Sequence, residues 1–323
     1  MNLRYVLRSA LALAIAVTGL AVVPAHAGAP VPRFLVFTGT YGFRHDGITE
    51  ESATLRTLAQ QGGFAVDVTG DPEVAFSPAT YRNYTGVLLL QTTGLGSDAS
   101  PLTDQQKADF IQYANCGGGV VGIHAAADSG GGWPEYDALL GSYGFDFHPH
   151  LSLESRENPL GREAFNPPAV SDVTIQVEDP AHTTTQPWWG FSDFRITDEI
   201  YRYKGDPRQD PDLHVVLSLD GESHYWKPTI GAGPSAGGLA PEVDNPVPNP
   251  VNANPVTGFP EDSPIAWVKE HGAARGRVFY TNLGHNMATW ERDDYRLHVQ
   301  NGIAWVAQRH ADAACLREHF GKQ

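Results

Sequence analysis

The chain has 323 residues and a formal net charge of −15 at pH 7, from 37 acidic and 22 Lys or Arg side chains. A surface of this sign repels nucleic acid and anionic lipid, so neither is expected as a partner. A neutral small molecule is compatible with such a surface. The length suffices for one large domain with a well-buried core.

The first 27 residues have the three zones of a secretory signal peptide. Arg4 and Arg8 give a basic start, residues 11–23 form an apolar run of 13, and residues 25–27 read Ala-His-Ala. A membrane-spanning helix needs about 20 apolar residues, so a retained anchor is the weaker interpretation. We therefore predict an exported, soluble mature protein of 296 residues (323 minus 27), without membrane association.

Predicted strands alternate with helices in the N-terminal half. The strands are apolar runs at residues 33–37, 64–68, 86–90 and 120–123. Apolar residues recur at helical spacing from Ile48 to Ala59, and Thr103 with Gln106 forms a capping box for a second helix. This alternation predicts an α/β fold with a parallel sheet and helices on both faces.

The C-terminal half is less regular. Strands are predicted at 173–177, 213–219, 264–268 and 277–281, and apolar residues from Tyr295 to Val306 mark a closing helix. Residues 229–264 are dense in Gly, Pro and Asn, which is typical of a long surface loop. Because strand and helix patterns resume beyond this segment, we interpret it as an insertion within one domain that spans residues 28–323.

The chain contains two cysteines, Cys116 and Cys315. An exported protein meets an oxidising compartment, in which paired thiols persist as a disulfide. We predict a Cys116–Cys315 bridge, which would tie the end of the helix after Thr103 to the C-terminal tail. The alternative is two separate buried thiols.

Three histidines follow predicted strands. His45 lies in the loop after the first strand, His124 directly follows the fourth, and His285 follows the strand at 277–281. Ligands of open α/β sheets bind beyond the carboxyl ends of the strands, so these imidazoles are expected at one edge. Converging neutral imidazoles commonly hold Zn or a similar divalent ion, although they can also act as acid and base or hydrogen-bond loop backbone. The metal interpretation makes His45, His124 and His285 the candidate ligands.

Residues 122–126 run from a strand directly into a predicted helix. Hydrolases and amidotransferases expose a nucleophile at such a turn, and here that position holds His124. Imidazole is a poor stable acyl carrier, so amide hydrolysis by a Cys-His pair is not available at this turn. Asp128 follows four residues later on the same helical face, where it would orient an imidazole or interact with the helix dipole. Both are candidate catalytic residues.

Aromatic and acidic residues gather at Trp188-Trp189 and in residues 197–201, Thr-Asp-Glu-Ile-Tyr. Exposed rings beside carboxylates suit sugar binding, because the rings cover the apolar face of a sugar and the acids accept hydroxyl hydrogen bonds. Aromatic residues are, however, more often part of the core. We expect Trp188 and Tyr201 to contact substrate and Glu199 to act as a catalytic acid or base.

Seven motifs across nearly the whole mature chain resemble the ThuA-like (trehalose utilization) family. They are FTGTYGFRHDGI (37–48), GGGVVGIHAAAD (117–128), FHP (147–149), VEDPAH (177–182), TDEIY (197–201), PIAW (264–267) and GRVFYTNLGH (276–285). The resemblance implies a mostly parallel, flavodoxin-like sheet, as in class I glutamine amidotransferases, with histidine at the turn. It also implies a link to carbohydrate utilisation and a pocket lined by residues that match the family's motifs, namely Arg44, His45, His124, His148, Glu199 and His285.

The residues and the resemblance support two hypotheses of different classes. The first is a secreted, metal-dependent hydrolase or lyase that acts on a glycoside or an oxidised sugar, with Arg44 and His148 among the substrate contacts. The second is a non-catalytic carbohydrate-binding or accessory domain that has lost amidotransferase chemistry. Two departures from the family pattern, the 229–264 segment and the glycines at 130–132, lie where they would alter substrate access.

Overall fold

A nine-stranded mixed sheet forms the centre of the described part of the chain. The computed structural model describes residues 30–147, 171–220 and 263–321, and the described residues from Val31 onward belong to one compact unit. The predicted signal peptide, His148 and nearly all of the predicted loop at 229–264 lie outside the described residues.

The strands are numbered in chain order. They are β1 (Arg33–Phe37), β2 (Ala65–Thr69), β3 (Gly86–Leu90), β4 (Gly119–Ile123), β5 (Phe145–Phe147), β6 (Ser171–Val177), β7 (Asp193–Asp198), β8 (Arg202–Tyr203), β9 (Leu213–Leu219), β10 (Pro264–His271) and β11 (Gly276–Thr281). All except β5 and β8 belong to the large sheet, and these two pair with each other.

One half of the sheet, which we call the parallel half, has the order β2-β1-β3-β4-β11. Each neighbouring pair in it is parallel. This is the flavodoxin-like arrangement, in which ligands bind beyond the carboxyl ends of the strands. All five residues of β3 and of β4 are buried, which explains their continuous apolar sequences. The predicted α/β fold class is confirmed.

The other half, which we call the antiparallel half, continues from β11 through β10, β9 and β6 to β7. Each step reverses the strand direction. After four reversals β7 runs the same way as β11 and ends at the same edge of the sheet. The sheet is therefore less parallel than the resemblance implies. The turn at 272–275 between β10 and β11 is too short for the crossover helix that parallel pairing requires.

Helices cover both faces of the sheet. They are α1 (Ile48–Gly62), α2 (Pro72–Ala75), α3 (Pro78–Asn83), α4 (Asp104–Asn115), α5 (Pro134–Leu140), α6 (Met287–Trp290), α7 (Asp293–Ala307) and α8 (Ala313–Phe320). Side chains alternate along each strand, so Leu88 joins the core under α1 and α7, whereas Leu89 joins the core under α4 and α5. Among the described helices none is long and apolar enough to span a membrane.

Local signals set the element boundaries well. The strands predicted at 33–37, 86–90 and 213–219 are confirmed residue for residue. The Thr103–Gln106 capping box is present at the start of α4, and α1 stops where Gly63 adopts a left-handed φ of 72°. The patterns do not predict β7, because this edge strand alternates exposed and buried residues in a short segment.

A disulfide joins Cys116 to Cys315, as predicted. Cys116 ends α4 and is fully buried, whereas Cys315 lies in α8, so the bond fastens the C-terminal helix to the parallel half. The two residues are 199 positions apart and are the only cysteines in the chain. No thiol is therefore left for chemistry, and the bond itself is of the kind that persists in oxidising compartments.

Candidate metal centre

Four buried side chains meet at the carboxyl edge of the sheet. His45 lies in the loop after β1, His124 follows β4, Glu199 follows β7 and His285 lies in the loop after β11. Each offers a donor atom, and all four donor atoms lie within 4.8 Å of one another. We call these four residues, which could together hold one metal ion, the metal cluster.

Three donor atoms of the metal cluster form an equilateral triangle. Nε2 of His124, Nδ1 of His285 and Oε2 of Glu199 are 3.1 Å apart along each edge. Donors that share one ion at about 2.1 Å lie about 3.0–3.4 Å from one another in octahedral or tetrahedral coordination. The spacing therefore fits three ligands on one face of a coordination shell.

His45 closes the metal cluster on a further side. The centroid of its ring lies 5.2 Å from that of His124 and 5.0 Å from that of His285, and it meets both rings edge to face. His45 and His285 retain 5% and 7% exposure, whereas His124 has none. Glu199 retains 2%, so the described residues leave the metal cluster nearly closed to solvent.

The tautomer of His124 is fixed by its backbone neighbour. Its Nδ1 lies 2.6 Å from the carbonyl oxygen of Asn282, which can only accept, so Nδ1 carries a hydrogen. In a neutral ring, Nε2 then presents a lone pair to Glu199 and His285. Because opposed lone pairs repel in a buried site, the metal cluster requires a positive charge, supplied by a metal ion or by a proton.

Electrostatic coupling within the metal cluster favours such a charge. Burial acts to raise the pKa of Glu199, but hydrogen bonds with His124 and His285 hold it well below its ordinary value. Burial acts to lower the pKa of His285, but the Glu199 carboxylate raises it above its ordinary value. Glu199 is therefore a carboxylate that attracts cations, which is the form in which carboxylates bind metals.

The turn that carries His124 is strained. His124 has a φ of 47°, in a region that residues other than glycine rarely adopt, and its carbonyl accepts a hydrogen bond from the Tyr280 hydroxyl at 2.9 Å. Tyr201, a predicted substrate contact, packs its buried ring 4.4 Å from the His124 ring. Such strain persists where surrounding contacts hold it, and it is concentrated at functional sites.

Asp128 does not share a helical face with His124, contrary to the prediction. Residues His124–Ser129 form a 3₁₀ turn, and Asp128 itself leaves helical geometry at φ −89° and ψ 20°. Three residues per turn do not align side chains four apart. Burial, followed by repulsion from Glu199 and Asp137, nevertheless raises the pKa of Asp128 to about 7.

Of the other predicted substrate contacts, Arg44 directly precedes His45 in the chain. Its side chain is exposed, and its guanidinium donates to the carbonyl of Thr38 at 3.1 Å. The expectation of an exposed ring at Trp188 is wrong. That side chain is 4% exposed, stacks on Phe194 at 4.1 Å and donates to Asp294, so it belongs to the core.

The exposed ring that contacts the metal cluster is Phe43. Its side chain is 57% exposed, and its ring meets His45 edge to face at 4.9 Å. Thr93 holds this loop: its hydroxyl donates to the carbonyl of Phe43 at 2.7 Å and accepts from the Gly42 N–H at 3.2 Å. Phe43 has no signal of its own in the sequence, although it lies two residues before His45 in the motif FTGTYGFRHDGI.

Several buried polar residues behind the metal cluster were also missed. They are Glu51, Gln91, Asp198 and Asn282. Gln91 directly follows β3 and Asn282 directly follows β11, so the rule of strand ends would have found both. Glu51 lies inside α1, where no pattern marks it, whereas Asp198 lies in the TDEIY motif but ends an unpredicted strand, so its buried position was not indicated.

Fold and site together define an α/β protein with a buried cluster of three histidines and one glutamate at the carboxyl edge of its sheet. Such a cluster can hold a metal ion. The chain belongs to the ThuA family, described as trehalose utilisation, whose family model matches residues 33–306. The resemblance that the motifs suggested is thereby confirmed.

Solved structures of ThuA-like proteins share the fold. One from Bacteroides uniformis is 22% identical, with a TM-score of 0.59, over 88% of this chain and 94% of that one. Another, from Parabacteroides merdae, is 18% identical, with a TM-score of 0.53, over 86% of this chain and 90% of that one. No curated protein matches the chain significantly.

Proposed function

We propose that the metal cluster binds a divalent transition-metal ion through His45, His124, Glu199 and His285. The observation that carries the proposal is the triangle of donor atoms with 3.1 Å edges, buried and electrostatically in need of a cation. Three imidazoles and one carboxylate suit Zn or a similar ion better than Ca or Mg, which prefer oxygen ligands. A bound ion of this kind polarises a substrate oxygen or lowers the pKa of a coordinated water.

We further propose that the protein is an exported, metal-dependent hydrolase or lyase that acts on a glycoside or an oxidised sugar. The family's description, trehalose utilisation, supports a carbohydrate substrate. The leader-like first 27 residues and the disulfide support export. Glutaminase chemistry is not proposed, because both cysteines are joined in the disulfide and His124 occupies the turn.

Asp128 is the group best suited to move a proton at this site. A carboxyl group with a pKa of about 7 accepts and returns protons near neutral pH, which is the property of a general acid or base. Glu199, by contrast, is held as a carboxylate by its histidine partners. We therefore propose Asp128 for proton transfer, and His124 and Glu199 for metal binding.

Phe43 and Arg44 form a rim suited to a sugar. Thr93 holds the backbone of Phe43, and the exposed Phe43 ring can cover the apolar face of a pyranose. The exposed guanidinium of Arg44 can donate hydrogen bonds to a sugar hydroxyl or carbonyl. A sugar held by this rim would approach the metal cluster from the side of His45, where the exposure remains.

Metal analysis of matched variants tests the proposal. The purified protein, stripped with a chelator and reloaded separately with Zn²⁺, Mn²⁺ and Co²⁺, is expected to retain about one ion per chain. His124→Ala should abolish this retention. His214→Ala is the matched control, because that histidine is 56% exposed and pairs with Asp179 rather than with the metal cluster.

A sugar screen then separates an enzyme from a binding domain. Disaccharides, including trehalose, and their oxidised forms are added to metal-loaded protein, and both thermal stabilisation and product formation are measured. Product that depends on the metal supports the enzyme. Sugar stabilisation without turnover, undiminished in His124→Ala, would instead identify an accessory binding domain. Absence of stoichiometric metal under all loading conditions refutes the metal site.

A further inference from the structure

A second buried carboxylate, Asp198, connects two segments that carry members of the metal cluster. It ends β7 and directly precedes Glu199, and its side chain is fully buried. Its Oδ1 accepts hydrogen bonds from the backbone N–H groups of Glu199 at 3.0 Å and His285 at 3.2 Å. Its Oδ2 accepts from the Gly284 N–H at 2.7 Å and the Thr289 hydroxyl at 3.0 Å.

These four donors define what Asp198 can do. Each oxygen already accepts two hydrogen bonds, so neither faces the metal cluster with an available lone pair. Asp198 is therefore not a metal ligand. Four donors that point at one carboxyl group also match its ionised form, because a protonated oxygen would need an acceptor.

The segment before His285 is also held from its other side. The carbonyl of Gly284 accepts from the Gln91 amide at 2.6 Å and from the Trp290 indole at 3.0 Å. Gly284 has a φ of 113°, and a Cβ there would lie 2.1 Å from the hydroxyl of Tyr295. The backbone that presents His285 is thus fixed on its N–H side by Asp198 and on its carbonyl side by Gln91.

We infer that Asp198 is a positioning residue for metal binding, which rests on the proposed metal site. Through its backbone contacts it holds Glu199 and His285 at the separation that one ion requires. Groups that orient metal ligands typically change metal affinity by about 10–100-fold when they are mutated.

The metal affinity of Asp198→Asn tests this role. Asparagine keeps the shape but replaces one oxygen with an N–H₂ group, which opposes a backbone N–H and removes the charge. We expect Zn²⁺ affinity, measured by competition with a chromophoric chelator, to fall by about 10–100-fold. The visible spectrum of the Co²⁺-loaded variant should also change, since ligand geometry at the ion is altered.

Asp210→Asn is the matched control for lost stability. Asp210 is also buried and accepts hydrogen bonds from the Tyr143 hydroxyl and the Asp212 N–H, but it pairs with Lys269 rather than with any member of the metal cluster. It should lower the melting temperature of the metal-free protein, as Asp198→Asn does, and leave Zn²⁺ affinity and the Co²⁺ spectrum unchanged. A purely structural role for Asp198 would give the two variants the same result.

Thr289→Val keeps the test decisive if Asp198→Asn does not fold. It removes one donor from Asp198 Oδ2 at the start of α6 and should weaken Zn²⁺ binding by about threefold, the usual worth of one hydrogen bond. If Asp198→Asn folds and keeps the wild-type Zn²⁺ affinity and Co²⁺ spectrum, the inference is wrong. If only Thr289→Val folds, the same result in that variant overturns the inference. If the wild-type protein itself binds no metal, the proposed function fails instead, so the two failures are distinguishable.

Discussion

The two halves of the sheet contribute differently to the metal cluster. The parallel half supplies the imidazole donors, with His45 after β1, His124 after β4 and His285 after β11. The antiparallel half supplies the negative charge, with Asp198 and Glu199 at the end of β7, the far strand of the sheet. The contact of 2.7 Å between Asp198 and the Gly284 N–H shows that this half curves back over the strand ends.

This division makes metal binding a property of the whole sheet. A set of histidines from adjacent parallel strands is held by local geometry, whereas the carboxylates arrive only when four antiparallel pairings are in register. The metal cluster is complete only when both halves are folded against each other. Metal affinity should therefore report on the docking of the antiparallel half as well as on the ligands themselves.

The largest expected effect is the loss of a ligand from either half. His124→Ala removes a donor of the parallel half, and Glu199→Gln removes the only carboxylate of the triangle while keeping its volume. Because the donors share one ion, each variant should lose stoichiometric Zn²⁺, with affinity reduced by at least about 100-fold. Isothermal titration of the metal-free proteins measures this. Wild-type affinity in Glu199→Gln would show that the antiparallel half is not part of the site.

The disulfide should affect stability strongly and the metal cluster little. It closes a loop of 199 residues, from the end of α4 to α8, which corresponds to about 5 kcal/mol on the chain-entropy model. Replacing both cysteines by alanine should lower the melting temperature by about 10 °C. Wild-type protein under reducing conditions is the control and should melt at a similar temperature. A weakened Zn²⁺ affinity in the variant without cysteines would show that the disulfide also supports the metal cluster.

The parallel half of the sheet could be predicted from the sequence more completely than the antiparallel half. Strands of the parallel half are buried on both faces and appear as uninterrupted apolar runs, so β1 and β3 were predicted to the residue. Their carboxyl ends share one edge by topology, which is why His45, His124 and His285 could be grouped without any spacing motif. A local pattern and one general rule were sufficient.

The carboxylates could not be placed in this way. β7 has one exposed face, and its position depends on pairing with β6, a strand distant from the parallel half in the sheet order. Glu199 was chosen for its chemistry, but its contact with His124 depends on that long-range pairing. The helical alignment of Asp128 with His124 failed for a related reason. His124–Ser129 form a 3₁₀ turn whose first carbonyl accepts from the Tyr280 hydroxyl, a long-range contact that helix propensity does not reveal.

A third prediction concerns Glu51, which is buried within the parallel half. Burial raises its pKa to about 8, although a hydrogen bond from Gln91 and the charge of His285 oppose the rise. Between the ordinary value of 4.5 and about 8, the folded protein keeps a proton that the unfolded chain has released. The contribution of Glu51 to the free energy of unfolding therefore falls as the pH rises from 4.5 to about 8.

Glu51→Gln should remove this pH dependence. Relative to wild type, its free energy of unfolding should rise between pH 5 and pH 9 by a few kcal/mol, on the order of 4. Urea unfolding in the presence of a chelator measures it, since a bound cation would favour the Glu51 carboxylate. Glu50→Gln, an exposed neighbour on α1, is the control and should show little change. A constant difference between wild type and Glu51→Gln at the two pH values would contradict the prediction.

The smallest effect is expected at the rim. Phe43→Ala should reduce the affinity for a sugar about tenfold, because stacking of an aromatic ring contributes roughly 1 kcal/mol or more. Metal content should not change, since Phe43 offers no ligand atom and meets the metal cluster through an edge-to-face contact with His45. Phe191→Ala is the matched control: that ring is 66% exposed but precedes β7, at the opposite end of the strand from Asp198.

Phe43→Ala and Phe191→Ala together distinguish a specific sugar-binding ring from nonspecific binding to exposed aromatic side chains. If Phe43 covers a sugar, its loss weakens binding of the sugar that the thermal screen selects, whereas Phe191→Ala binds normally. If both variants bind equally well, the ligand does not use the Phe43 face, and the approach to the metal cluster past His45 is wrong. If Phe43→Ala also loses metal, the loop held by Thr93 belongs to the metal cluster rather than to its rim. Metal binding would then depend on the loop that carries Phe43 as well as on the two halves of the sheet.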